Sequence, residues 1–408
     1  MRSLLWLVGI MLIALNLRPA VASVPPLADT IAADLHLGAA ALGVLTTLPV
    51  LCMGLFAPVG AFAARRFGTS RVLAGAVVLI AVGTALRAIP QLWLLYGATA
   101  LIGVGIAVAG SLLPPLVRAR FPARIGPVTG LYTAGLIGGA LLAASLTAPL
   151  PLRWPLALSV WAIPAVVALV VWLFVAPAGV ASSRSAPPTP APWRSRRAWF
   201  ATFFMGGQSL LYYASLAWLA ARYTDLGSSA SEAGLLLGLF SATQLVSSLG
   251  MPLLAHRFGD PRPWIAASVA LTGVSLALVA FAPNAAAWVW ASVLGLGVGG
   301  QLALAMMVLS TLGATPQESA AATGMALFGG YLLAAAGPVV AGALVDLTGS
   351  YAAPFAALAV FAVPVLLAGL RAASREEATR PADDRSPSGD QTDRRSDPAA
   401  SRAPRQPG

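Results

Sequence analysis

Long apolar segments recur along almost the whole of this 408-residue chain, and they restrict its fold more than any other feature. Hydrophobic residues make up 58% of the sequence and charged residues only 10%. A soluble domain carries about 25% charged residues, so lipid has to cover most of this surface. A bilayer core of about 30 Å takes about 20 apolar residues per helix, which predicts twelve membrane-spanning helices. They lie near residues 4–28, 39–63, 72–89, 93–116, 128–149, 155–176, 199–222, 233–254, 264–282, 287–311, 321–345 and 353–370.

All 25 basic residues are arginines, and their distribution over the connections predicts an orientation. With the amino terminus inside, 21 of them fall on the inner side, while Arg87, Arg153 and Arg222 fall in outer loops. Cytoplasmic loops carry an excess of basic residues, so both termini are expected in the cytoplasm and the chain in a bacterial inner membrane. The net charge of +11 is thereby explained by topology, and no nucleic-acid partner is expected.

Several classes of chemistry find no support in the residue types. The single cysteine, Cys52, excludes a disulfide framework, and the two histidines, His36 and His256, both lie beside loops. No segment contains a buried carboxylate pair or a nucleophile with a base. We therefore expect no enzyme activity, no catalytic residue, no metal site and no cofactor.

The chain repeats itself. A shift of about 191 residues places Asp34-Leu35 on Asp225-Leu226 and the segment 64–68 on 255–259. A shift of about 194 residues places Thr129-Gly130 on Thr323-Gly324. This duplication predicts an all-α membrane protein with two pseudo-symmetric six-helix bundles. It resembles the major facilitator fold, in which a solute is held at the midplane between the halves.

The repeat and the composition together predict the domain boundaries. The segment between the halves is rich in Pro, Ser and Arg and is expected to be a cytoplasmic linker. The carboxyl-terminal segment lacks an apolar face and is expected to be a disordered cytoplasmic tail. The bounds are 1–176 for the first bundle, 177–198 for the linker, 199–370 for the second bundle and 371–408 for the tail.

The loop between the second and third helices is a candidate gating element. Arg65, Arg66 and Gly68 occupy it, and Arg257 and Gly259 take the same place in the second repeat. Arg65 stands where the corresponding loop motif of major facilitators has an aspartate, which removes one partner of its salt bridge. The alternative interpretation is a solvated, positively charged turn.

Arg18 is the strongest functional signal in the sequence, because it is charged and lies deep within the first segment. A charged side chain at mid-bilayer costs about 2.5–3.5 kcal/mol on insertion scales, so it normally faces a polar cavity and has a partner. No intramembrane Asp or Glu offers itself, which favours a bound anion or an electron-rich solute. The alternative is a structural arginine that binds backbone carbonyls. Pro19, Pro25 and Pro26 are expected to break the helix here.

Other polar residues within the segments are candidates for solute binding. Asn16 lies near Arg18 but about 200° around the helix, at about 100° per residue. Gln208 and Tyr212 share one stripe of the seventh segment. Gln301 in the tenth segment either binds solute or forms an interhelical hydrogen bond. Tyr132 and Tyr331 are candidates either for binding or for packing.

At these motifs the chain resembles the cyanate/2-nitroimidazole transporter family. The resemblance rests on Leu15 to Ala20, Gln208 to Tyr213, Ala217 to Leu219, and Gly324 to Gly349. It covers essentially all of residues 1–370 and departs from the family at Ala220, where a proline is frequent. It implies a secondary transporter for small anions or nitroaromatic and other polar organic solutes.

The alternative is a broad-specificity drug exporter of the same superfamily. An exporter of cationic drugs would favour an intramembrane acid, and the sequence has none. The expected partners are a small-molecule solute and the lipid bilayer, and the protein is expected to be a monomer.

Overall fold

The computed structural model describes residues 2–175, 192–313 and 315–374, which fold almost entirely as helices and contain no strand. Most of the predicted linker and of the predicted tail lies outside these residues. The α-helices are α1 (Arg2–Leu15), α2 (Pro19–Ala22), α3 (Ala28–Leu35), α4 (Ala39–Phe67), α5 (Thr69–Leu86), α6 (Leu92–Arg120), α7 (Ile125–Leu146), α8 (Trp154–Ser159), α9 (Ala162–Val175), α10 (Arg196–Asp225), α11 (Ala230–Phe258), α12 (Arg262–Phe281), α13 (Ala287–Ser310), α14 (Pro316–Thr348) and α15 (Ala352–Ala373).

Eleven segments of the described chain are long and apolar enough to cross a membrane, with α1–α3 and α8–α9 each counted as one. The remaining long helix, α10, has 30 residues and is more polar, yet almost all of it is buried among other helices. Large apolar side chains point outward elsewhere, such as Phe174 at 85% exposed and Phe281 at 78% exposed. Lipid is the solvent that such a surface requires. The predicted all-α fold with twelve spanning segments is confirmed.

Helix packing repeats between the two halves of the chain. Within the first half, α4 packs on α6, α5 on α6, α1 on α7 and α5 on α9. The corresponding pairs of the second half are α11 with α13, α12 with α13, α10 with α14 and α12 with α15. The same four contacts therefore recur in the same order, as a duplicated chain requires.

Two helix pairs join the halves, and both approach most closely at the same end. In the α4–α14 pair, a Cβ at Gly43 would lie 2.5 Å from the Pro338 carbonyl oxygen. In the α7–α11 pair, a Cβ at Gly234 would lie 2.6 Å from the Ala144 carbonyl oxygen. Glycine is needed at both positions because the backbones touch. We call this end of the molecule the Asp346 end, after the carboxylate of α14 that lies there.

At the opposite end, which we call the Arg65 end, the same helices approach less closely. A Cβ at Gly130 of α7 would lie 3.8 Å from Leu249 of α11, and that atom is a flexible side-chain terminus. Val59 and Phe62 of α4 and Leu253 of α11 are exposed there. The halves are thus packed more tightly against each other at the Asp346 end than at the Arg65 end.

Candidate solute site between the two halves

The first spanning segment is broken where it presents Arg18. Helix α1 ends at Leu15, the short α2 covers Pro19–Ala22, and a 3-10 turn over Pro25–Leu27 precedes α3. Pro19 has no N–H to donate to the Leu15 carbonyl, so the helix cannot continue. That carbonyl instead lies against Gly139 of α7, where a Cβ would overlap its oxygen. The predicted interruption by proline is confirmed.

Arg18 reaches from the first half to the second. Its Nη1 donates a hydrogen bond to the hydroxyl oxygen of Tyr212 on α10, at 2.7 Å. Its guanidinium carbon also lies 5.0 Å from the ring centre of Tyr212 and 5.4 Å from that of Tyr213. Arg18 forms no ion pair with any described residue, so no carboxylate compensates it there. The hydroxyl and the aromatic faces stabilise the cation but leave its positive charge uncancelled.

A cavity of about 200 Å³ lies beside Arg18. Both halves contribute to its wall, with Tyr132 of α7 and Tyr331 of α14 among the aromatic residues. The complete lining is Leu17, Arg18, Met53, Ala57, Ile106, Ala107, Gly110, Ser111, Leu113, Tyr132, Leu136, Leu327 and Tyr331. The wall is mostly apolar and contains one cation, two phenols and one serine hydroxyl. A pocket of this kind suits a small ligand with one electron-rich group.

The structure brings four predicted residues together at this cavity and separates the other three from it. Arg18, Tyr132 and Tyr331 line the cavity, and Tyr212 contacts Arg18. The remaining three, Asn16, Gln208 and Gln301, have other partners.

Asn16, Gln208 and Gln301 are each held by neighbouring groups within a bundle. Asn16 donates to the carbonyls of Leu12, at 2.8 Å, and Pro164, at 3.0 Å, and thereby ties the end of α1 to α9. The Gln208 amide donates to Ser209 Oγ at 2.7 Å and to the Met205 carbonyl. The Gln301 amide donates to Thr272 Oγ1 at 2.6 Å, between α13 and α12. The interhelical interpretation of Gln301 is the one that this geometry favours.

The structure adds residues that the sequence did not single out as binders. Met53 and Ser111 line the cavity, and Tyr213 lies against both Arg18 and Met53, with its hydroxyl 3.5 Å from Met53 Sδ. Tyr213 directly follows Tyr212 in the sequence. Neighbouring residues of a helix point in different directions, so helical periodicity alone does not predict that both rings contact Arg18. Packing of α10 against α4 is what places Tyr213 there.

Two arginines that were predicted in outer loops are buried instead. Arg87 is 0% exposed and Arg222 is 7% exposed. Arg87 donates to Thr99 Oγ1 and to the Ala20 carbonyl, and Arg222 donates to the carbonyls of Val279 and Ala280. Each satisfies freed acceptors at a helix end, so a position near the end of a segment did not imply exposure to solvent.

The candidate gating loops are tight turns at the Arg65 end. Gly68 follows α4 with φ 85°, and Gly259 follows α11 with φ 76°, a region that favours glycine. Arg65, Arg66 and Arg257 are exposed. The glycines thus have a conformational cause, and a gating role of the arginines stays a prediction.

Two repeated helix bundles with a cavity between them at membrane depth define a membrane transporter of the major facilitator type. The sequence model of the Major Facilitator Superfamily matches this chain twice, over residues 7–223 and over residues 198–405. The 2-nitroimidazole transporter of Escherichia coli (strain K12) is 37% identical over 377 residues, which are 90% of this chain and 95% of that protein. The cyanate transport protein CynX of the same organism is 32% identical and covers 90% of this chain and 96% of its own length.

The chain belongs to the Major Facilitator Superfamily and, within it, to the cyanate/2-nitroimidazole transporter family, as the sequence resemblance predicted. Solved structures agree on the fold. A bacterial homologue of the human lysosomal transporter Spinster, inward-facing and unoccupied, superimposes with a TM-score of 0.75 at 14% identity, over 91% of this chain and 97% of that one. The nucleoside transporter NupG gives a TM-score of 0.72 at 11% identity, over 92% of this chain and 100% of that one.

Proposed function

We propose that this solute transporter works by alternating access and moves a small anionic or polar, nitroaromatic organic solute, such as cyanate or a 2-nitroimidazole-like compound, across the bacterial inner membrane. The observation that carries the proposal is the uncompensated Arg18 guanidinium, which lines a cavity between the halves and bonds to the opposite half through Tyr212. The names of the two relatives agree with the solute class.

The chemistry of binding follows from the shape of the guanidinium. A planar group with several N–H donors forms paired hydrogen bonds with the oxygen or nitrogen atoms of a flat anion or nitro group. Tyr212 accepts from one nitrogen, Nη1, and within the part of the chain that the structure describes no other hydrogen bond of the guanidinium is formed, which leaves donors for a ligand. Tyr132 of α7 and Tyr331 of α14 add an aromatic side chain to the lining from each half.

The proposed orientation places the Arg65 end in the cytoplasm, together with both termini, because the basic loops are concentrated there. The described conformation is then the one in which the halves are packed more tightly on the outer side than on the cytoplasmic side. Transport requires the two halves to rock about the cavity, so that the Asp346 end opens while the Arg65 end closes.

The test is a titration of the purified protein with sodium cyanate and with 2-nitroimidazole. Arg18→Ala should weaken binding about 30-fold or more, because truncating one side of a desolvated, charge-assisted contact costs about 2–5 kcal/mol. Arg18→Lys should restore part of the affinity, since lysine keeps the positive charge but cannot form the paired hydrogen bonds of a planar guanidinium. Tyr212→Phe should cost less, about 0.5–1.5 kcal/mol, the value of a neutral hydrogen bond.

Arg153→Ala is the matched control, because Arg153 is exposed and remote from the cavity lining. Its affinity should equal that of the unaltered protein. Unchanged affinity in a well-folded Arg18→Ala protein would refute the proposed site. Binding of a lipophilic cation such as tetraphenylphosphonium, with neither probe bound, would instead favour the drug-exporter alternative.

A further inference from the structure

A second buried arginine, Arg87, lies behind the broken segment that carries Arg18. It follows the last residue of α5, its side chain is 0% exposed, and it forms no ion pair within the described residues. Its Nε atom has no hydrogen-bond partner there. A buried cation without a carboxylate is expensive, so a local structural reason for it is required.

Arg87 holds the turn that follows Arg18. Its Nη1 donates to the Ala20 carbonyl, and its Nη2 donates to Thr99 Oγ1 of α6 at 2.8 Å. Thr99 Oγ1 in turn donates to the Leu95 carbonyl at 2.7 Å, which fixes the hydroxyl. The guanidinium therefore ties the α2 turn to α6.

The Ala20 carbonyl is available to Arg87 because the helix is interrupted. In a continuous helix it would accept from the Val24 N–H, four residues on. Here the Val24 N–H points to the Val21 carbonyl at 3.4 Å, and the Ser23 N–H points to the Pro19 carbonyl at 2.9 Å. The break that presents Arg18 thus also creates the acceptor that Arg87 satisfies.

Arg18 and Ala20 belong to the same single turn. Arg18 is the residue that precedes α2, and its carbonyl accepts from the N–H groups of Val21 and Ala22, each at 3.0 Å. Because Arg18 and Ala20 share this short turn, the contact that holds the Ala20 carbonyl also restrains the backbone that carries the Arg18 side chain. Rotation of this turn would move the Arg18 guanidinium out of the cavity.

We propose that Arg87 is a positioning residue for solute binding: by anchoring the Ala20 carbonyl it fixes the turn that points Arg18 into the cavity. This inference rests on the proposed function only in its effect on affinity. The effect on the direction of the side chain at position 18 is independent of any solute.

The first arm of the test therefore measures direction without a ligand. In a Cys52→Ala background, Arg18→Cys is labelled with a small uncharged thiosulfonate that enters the cavity, and the rate is compared with and without Arg87→Gln. The rate should fall about tenfold, because small displacements of a positioned group have effects of this size or larger. Tyr331→Cys, on the opposite wall, should react at the same rate in both backgrounds.

The second arm measures affinity for cyanate and 2-nitroimidazole in a double-mutant cycle. Arg87→Gln should weaken binding about tenfold, which is the usual effect of removing a residue that orients a binding side chain without touching the ligand. Arg87→Lys should recover part of the lost affinity. In an Arg18→Ala background, Arg87→Gln should have no further effect, because it acts through Arg18. Thr84→Val is the control, since the Thr84 hydroxyl is buried on the same helix without a hydrogen-bond partner in the described residues.

The outcomes separate the two proposals. An unchanged labelling rate, or additive losses in the cycle, would overturn the role of Arg87. A slower labelling rate with no measurable binding of either probe would support the role of Arg87 and count against the proposed solute class. If Arg87→Gln does not fold, the labelling and the cycle are carried out with Arg87→Lys, which keeps the charge but cannot hold Ala20 and Thr99 together.

Discussion

The carboxylate of Asp346 in α14 caps the amino terminus of α4, which belongs to the other half of the molecule. Its two oxygens accept from the backbone N–H groups of Ala39 and Ala40, each at 2.8 Å. The first N–H groups of a helix have no partner within the helix and carry partial positive charge. A cap that normally comes from the preceding residue is thus supplied across the interface that closes the Asp346 end.

Asp346→Asn should shift the protein toward a conformation that is open at this end. The amide keeps one acceptor oxygen but turns an NH₂ toward the second backbone donor, and the negative charge at the helix terminus, worth about 0.3–1 kcal/mol, is lost. Spin labels at Ala33→Cys and Leu347→Cys, in a Cys52→Ser background, should report a larger population of long distances. Asp260→Asn is the control, because among the described residues Asp260 accepts only from the Arg262 N–H within its own turn. An identical distance distribution in Asp346→Asn would show that the cap does not hold this end closed.

Gly139→Ala should destabilise the protein, whereas Gly138→Ala should not. A Cβ at position 139 would overlap the Leu15 carbonyl oxygen, while a Cβ at position 138 would meet nothing within 4 Å. Forcing extra atoms into a closely packed contact costs about 1–3 kcal/mol. The measurement is the melting temperature of both variants in the same detergent. Equal melting temperatures would mean that α1 and α7 do not approach as closely as described.

Gln301→Leu should leave the affinity for cyanate and 2-nitroimidazole unchanged. The Gln301 amide donates to Thr272 Oγ1 and the Ser268 carbonyl inside the second half, and its side chain does not line the cavity. Loss of these hydrogen bonds should lower stability by about 1 kcal/mol. A thermal melt and a ligand titration on one preparation separate the two effects. A clear loss of affinity at unchanged stability would restore Gln301 to the binding site.

The orientation can be tested at the two ends of α11. Ser229 and Asp260 are both exposed and flank this helix on opposite sides of the membrane. In intact cells without Cys52, a membrane-impermeant thiol reagent should label Ser229→Cys and not Asp260→Cys. Permeabilised cells, in which both should react, provide the control. Labelling in the reverse pattern would overturn the assignment of the Arg65 end to the cytoplasm.

The sequence predicted correctly those features that depend on the residues of one segment alone. The apolar lengths predicted the spanning segments, and the three prolines predicted the break beside Arg18. It failed where the answer depends on which helices meet. Arg87 was placed in a solvated loop because charge near a segment end is normally exposed, but the freed Ala20 carbonyl and Thr99 of another helix bury it.

The candidate site shows the same limit. Periodicity grouped Gln208 with Tyr212, yet only Tyr212 reaches Arg18, and Gln208 turns to Met205 and Ser209. From the sequence Asp346 is expected to be an exposed acid, because the backbone N–H groups that donate to its carboxylate lie more than 300 residues earlier. Backbone N–H and C=O groups are present in nearly every residue, whatever its side chain. A contact with them therefore leaves no pattern of residue types from which the sequence could predict it.

The polarity of α10 has a consequence for the synthesis of the protein. Its Gln, Ser and Tyr side chains and Arg222 are matched to the interior of the finished protein, while eleven other segments of the described chain meet the criterion for a membrane helix by themselves. A segment enters lipid from the translocon according to its own apolarity, and arginine or other polar groups oppose that step. The partners that bury α10 most extensively, α14 and α15, are translated more than 90 residues after it ends. We therefore expect α10 to become stable in the bilayer only after α14 and α15 have been made and can pack against it.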